Sequence, residues 1–132
     1  MIVLDEQLNP RLINEIQKWY RGQTVFVCDL RPDTIIKDEA IPQLLARTKK
    51  QPAFVTINAR DFWKKTHSGK QVCIVCLKLE DSEMSLIPRL LRVLFQAPQF
   101  RNKKDRAGYV FRIDRDGNIL YHLHNKVEVN PL

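Results

Sequence analysis

Asp5, Asp38 and Asp61, with Glu6 and Asn58 beside them, are the residues of this chain whose types and places could hold a divalent cation. Carboxylate and amide oxygens are hard ligands, and Mg²⁺ or Mn²⁺ binds through such oxygens while keeping several waters. Asn58 and Asp61 lie just beyond the apolar run Ala53 to Ile57, and Asp5-Glu6 just beyond Ile2-Val3-Leu4. Both sets are therefore expected at strand ends. A third acidic pair, Asp38-Glu39, opens a helix-like segment. Carboxylates that converge on one crevice repel one another unless a cation neutralises them. In a phosphodiesterase such an ion orients and activates the attacking water and stabilises charge on the leaving oxygen.

Each of these residues also has a structural role open to it. Asp38 can be the N-cap of its helix, and Asp61 can cap a short turn from Phe62 to Lys65. Asp5 with Glu6 can be a solvated loop corner, and Asn58 can supply a turn conformation. Competing chemistry is scarce. The four glycines form no phosphate-cradling loop, and there is no nucleophile elbow or His–Asp couple. His122 and His124 share a strand face by their spacing and could bind metal, but read more simply as exposed histidines on an edge hairpin. Trp63, followed by Lys64-Lys65, could stack on a base or equally well pack in the core. Cys73 and Cys76 have C-x-x-C spacing inside a strand-like run, where residues i and i+3 point to opposite faces. They read as small buried hydrophobes, with no shared zinc.

The elements that must position the acidic residues follow from periodicity. Strand-like runs at about 1–4, 24–28, 53–57 and 72–79 alternate with helix-like segments at about 10–19, 38–49 and 83–96. Asn9 as N-cap with Pro10 behind it marks the first helix start. Ile87, Leu90, Leu91, Leu94 and Phe95 give the last helix one apolar face. Short all-apolar strands between helices predict an α/β fold with a mostly parallel sheet covered on both faces. The simplest strand order is 2-1-3-4, which brings the ends of strands 1 and 3 together at a switch point, where ligands bind in such sheets. The runs Tyr109 to Ile113 and Ile119 to His124 flank Asp114-Arg115-Asp116-Gly117-Asn118 and predict a C-terminal antiparallel β-hairpin at the sheet edge. The polar, basic stretch Gln99 to Ala107 reads as a mobile linker.

The chain has 132 residues, 44% of them hydrophobic and 28% charged, which suits one soluble globular domain spanning 1–132. Residues 1–8 lack a secretion signal, and no run of about 18 apolar residues occurs, so a cytoplasmic protein with no membrane partner is expected. Three cysteines make a disulfide framework unexpected. Twenty-two basic against fifteen acidic residues leave a net charge of +7, which favours a polyanionic partner. Arg60, Lys64, Lys65 and Lys70 crowd around Asn58 and Asp61, and Arg101, Lys103, Lys104 and Arg106 form a second cluster.

At these residues the chain resembles the PIN-like nucleases, and more closely the short bacterial PIN-like proteins related to VapC toxins. The opening Ile2-Val3-Leu4-Asp5-Glu6-Gln7-Leu8-Asn9-Pro10 is similar to that subfamily's D-E-N-L-P start, and Lys37-Asp38-Glu39-Ala40-Ile41 to its D-E-x-I helix entry. Val55 to Phe62 looks like the T-x-N-x-x-D-F pattern of VapC-type domains. The resemblance implies a PIN-like three-layer sandwich and a Mg²⁺- or Mn²⁺-dependent endoribonuclease. For many relatives it also implies a toxin held by a small antitoxin. It places metal-binding and catalytic roles on Asp5, Asp38 and Asp61, with Asn58 at the polar position of the last motif, and Arg60, Lys64 and Lys65 beside RNA phosphates. Two departures stand out: Gln7 replaces the usual Asn, and the acidic residue on the intervening helix has no counterpart, a place that Glu6 or Glu39 would have to fill. The alternative is a catalytically silent PIN-like module that binds nucleic acid or a protein partner, which includes a second copy of the chain as a homodimer.

Overall fold

The protein is described by a computed structural model covering residues 1–32, 36–37, 40–57, 69–123 and 128–132. Short strands β1 (Ile2–Leu4), β2 (Thr24–Phe26), β3 (Ala53–Thr56) and β4 (Cys73–Lys78) alternate with helices α1 (Leu12–Gln17), α2 (Ile41–Ala46) and α3 (Ile87–Gln96). A one-turn helix α4 (Lys103–Arg106) leads into β5 (Tyr109–Asp114), β6 (Ile119–Leu123) and β7 (Asn130–Pro131). These strands form one sheet in the order β2-β1-β3-β4-β5-β6-β7. The first four positions have the order 2-1-3-4 that the alternation of elements predicts.

β1, β3 and β4 are mostly apolar because they are covered on both sides. Ile2, Leu4, Val55, Cys73, Val75 and Leu77 pack under Leu12 and Ile16 of α1 and Ile87, Leu91 and Leu94 of α3. Val3, Phe54, Ile74 and Cys76 pack on the opposite face against Ile41 and Leu45 of α2. The architecture is thus helix, sheet, helix, with a separate apolar core on each face.

Helix boundaries are tighter than the apolar periodicity suggests. Asn9 accepts the Arg11 amide at 2.9 Å through its side chain, and the chain passes through a turn before α1 becomes regular at Leu12. Pro42 and Pro88 sit in the first turns of α2 and α3, where a missing N–H costs nothing. Residues 83–86, predicted as the start of the last helix, belong instead to a 3-10 segment, Asp81–Leu86.

The C-terminal region shows the expected antiparallel hairpin, formed by β5 and β6, and corrects one expectation. The hairpin joins the sheet through β5, which runs parallel to β4, and β7 adds a further antiparallel strand beside β6. The stretch Gln99 to Ala107 is no free linker: it supplies the crossover that returns the chain to the start of β5. Its Phe100 is 1% exposed and Arg106 6% exposed. Arg106 Nη1 donates to the carbonyls of Phe100 and Arg101 at 2.9 and 2.8 Å, and its guanidinium lies 3.8 Å over the Phe95 ring. One of the four cations of the second basic cluster is therefore a tether rather than a solvated charge: Arg106 clamps the crossover onto α3.

Candidate functional site

Asp5 is the first residue past β1, and β1 lies between β2 and β3, the point where the chain reverses its direction of progress across the sheet. Its amide donates to the Val55 carbonyl at 2.9 Å, so the parallel ladder with β3 runs one residue beyond the strand. That extension sets Asp5 opposite Thr56. Its carboxylate is 9% exposed, and Thr56 Oγ1 donates to its Oδ2 at 2.7 Å. Gln7 Nε2 donates to the same oxygen at 3.0 Å. Both bonds fall on Oδ2, and among the described residues Oδ1 accepts none. The bend that follows is closed by the Leu8 amide on the Asp5 carbonyl at 3.0 Å and pinned by the buried Leu8 side chain. Asp5 is thus an oriented carboxylate at a switch point, and the solvated loop corner is ruled out for it.

Asp5 follows Val3 by two residues and Thr56 follows Phe54 by two, so both side chains share the face covered by α2. Registers continue that row through Cys76 on β4 to the half-buried Arg112 on β5. Burial pushes the Cys76 thiol far above its ordinary range, the nearby Cys73 adds to this, and the Arg112 charge opposes it. Glu6, one residue beyond Asp5, is exposed. Asp38, Glu39, Asn58, Arg60, Asp61, Lys64 and Lys65 lie outside the described residues, as do Trp63 and His124. Among the described residues no cluster of three His, Cys, Asp or Glu side chains is placed to hold a metal ion.

Two participants went unremarked among the site residues read from sequence. Thr56 was visible as the one hydroxyl closing an apolar run, at the start of the T-x-N-x-x-D-F segment. Gln7 had been a departure from a pattern; its amide bonds the carboxylate it stands beside. His122 differs from expectation: it is 6% exposed, and its Nδ1 is 2.8 Å from the Leu123 carbonyl. It lies beside Val110 of β5, a residue of the core on the α2 face, and β6 is not the sheet edge, since β7 pairs with it at Leu120 and Tyr121. Cys73 and Cys76 fall in the cores on opposite faces, as strand geometry requires of positions three apart.

The chain matches no family model, no curated protein and no solved structure in the comparisons made. Among the described residues no helix is long and apolar enough to cross a membrane.

Proposed function

We propose that this chain is a metal-dependent endoribonuclease of the PIN-like kind, with Asp5 as the anchor of its metal site. The observation that carries the reading is the placement of Asp5: an almost buried carboxylate, beyond the carboxyl end of β1, turned by Thr56 of the neighbouring strand. Open α/β sheets bind their ligands at this position. Thr56 stands two residues ahead of Asn58 and five ahead of Asp61, so the β3 segment that bonds Asp5 leads directly into the other expected ligands. Asp38, Asp61 and Glu6 complete the proposed donor set, and its hard oxygens suit Mg²⁺ or Mn²⁺. Such a cation supplies an activated water and charge stabilisation at a phosphodiester. The residues' own part is to orient: Thr56 and Gln7 hold Oδ2, which directs Oδ1 outward. Arg60, Lys64 and Lys65 are the proposed phosphate contacts. A toxin role, held in check by a small antitoxin, is the biological setting that the resemblance attaches to this activity.

The test is cleavage of single-stranded RNA in Mn²⁺ by the wild type, Asp5→Asn and Asp61→Asn. The reading expects cleavage by the wild type alone, abolished by EDTA. Equal rates from wild type and Asp5→Asn would sink it. A second reading, a catalytically silent module that binds RNA, is favoured by one observation: Thr56 and Gln7 already satisfy Asp5 Oδ2 without a cation. It expects binding without cleavage, unchanged by EDTA.

A further inference from the structure

On the face opposite Asp5, α1 and α3 border an open groove of about 870 Å³. Four cations line it, Arg11 and Lys18 from α1 and its entry turn and Arg89 and Arg92 from α3, against the single carboxylate of Glu15. All four are exposed, and Glu15 is itself paired with Lys18 at 3.0 Å. The spacing makes this a track rather than a scatter. Arg89 and Arg92 lie three apart on one helix face, and Arg11, Glu15 and Lys18 four and three apart on the other. A smaller depression of about 240 Å³ continues the track past Trp19 and Arg92 to the exposed Arg101.

Trp19 forms the floor where the two hollows meet. Its ring is half-buried, packed edge-on to Phe95 with centroids 5.8 Å apart, and among the described residues its indole N–H has no hydrogen-bond partner. Because β1 and β4 are parallel, the chain leaves both at the same sheet edge before entering α1 and α3. The Arg11 and Ser85 end of the groove therefore opens at the edge where Asp5 sits, and the other end at the opposite edge.

We infer that the α1/α3 groove binds a single strand of RNA, its phosphates along Arg11, Arg89, Arg92 and Lys18 and a base against Trp19. Repeated cations set beside an aromatic face are what a phosphodiester strand requires, and they are not what an apolar helix requires. A base that lies against Trp19 must be unpaired, which favours a single strand over a duplex. Ser85 and Glu15 add acceptors for 2′-hydroxyls, which distinguish RNA from DNA. None of these residues belongs to the proposed metal site, and the inference stands whether or not Asp5 supports cleavage.

The experiment is fluorescence anisotropy of labelled U12 RNA, dT12 and a 12-base-pair RNA duplex, all in EDTA. The proteins are wild type, Arg89→Ala/Arg92→Ala, Trp19→Phe and the control Arg47→Ala/Lys50→Ala at the end of α2. Thermal melts confirm that each variant folds. The groove predicts that U12 binds more tightly than dT12 or duplex, and that Arg89→Ala/Arg92→Ala weakens binding roughly tenfold or more. The slope of log affinity against log salt should fall by about 1.4, or about 0.7 per lost phosphate contact. Trp19→Phe should weaken binding less, while the control binds as wild type. Unchanged affinity in Arg89→Ala/Arg92→Ala, equal binding of duplex or dT12, or preference for poly-glutamate over U12 would each overturn it.

Discussion

Thr56 Oγ1 lies 2.7 Å from Asp5 Oδ2, joining the ends of two neighbouring parallel strands fifty-one positions apart in the chain. The bond is buried, and it orients the Asp5 carboxylate at the carboxyl edge of the sheet. A hydroxyl donating to an ionised, nearly buried acceptor is among the stronger side-chain hydrogen bonds.

Thr56→Val keeps the shape and removes the donor. It should destabilise the fold by about 1–2 kcal/mol, because Asp5 keeps its desolvation without its best partner. A double-mutant cycle with Asp5→Asn, read by urea denaturation, should give a coupling of about 1 kcal/mol. Strict additivity would show that the two side chains do not interact in solution.

Thiol reactivity should divide the three cysteines one to two. Cys28 is exposed, while Cys73 and Cys76 are buried. Burial pushes the Cys73 thiol up to about 12, with Arg106 opposing, and Cys76 moves in the same direction. Neither forms thiolate near neutral pH, and the thiolate is the reactive species. Titration with a disulfide reagent at about pH 8 should consume one thiol rapidly and the other two only after denaturation. Three fast thiols in the native protein would contradict the burial.

Arg106→Ala should cost about 2–4 kcal/mol, since it strips the Phe100 and Arg101 carbonyls of their shared donor and uncovers the Phe95 ring. Arg106→Lys should recover less than about half of that loss, because an ammonium lacks the planar fork. Chemical denaturation reads both. A variant as stable as wild type would mean that the crossover holds without its clamp.

Asp114 gives the hairpin an acid-sensitive turn. Its Oδ1 accepts the Asp116 and Asn118 amides at 3.0 and 2.9 Å, and its Oδ2 accepts Asn118 Nδ2 at 3.1 Å. These bonds, the Asn118 amide foremost, lower its pKa below the ordinary 3.8. A depressed folded pKa means the contribution is present above the unfolded value and is lost as pH falls through the folded one. The group is exposed, so the contribution should stay under about 1 kcal/mol. Asp114→Asn should be less stable than wild type at neutral pH, and the gap should close as pH falls below the ordinary carboxylate range. A gap that stays constant with pH would assign the effect to something other than the charge.

The apolar runs and the helix periodicity by themselves determined the α/β class, the four-strand order and the opposite faces of Cys73 and Cys76, because those features follow from local spacing and from the rules of parallel sheets. The carboxylate at position 5 was legible for the same reason, as the first polar residue after an apolar strand. What bonds it was not. Thr56 becomes a partner only once β3 lies beside β1 in one register, and register is a property of the packed sheet; Gln7 reaches the same oxygen from two residues away, through the turn that follows β1. Tertiary contacts also decided the fate of the basic stretch and of His122. Composition counts Arg106 as a solvated cation, yet two carbonyls and a ring close by in the fold make its burial favourable. His122 is buried in the folded sheet, where it lies beside the buried Val110 of β5. The same holds for the groove between α1 and α3: its cations belong to segments more than seventy residues apart, and only the packing of both helices on one face of the sheet sets them in line.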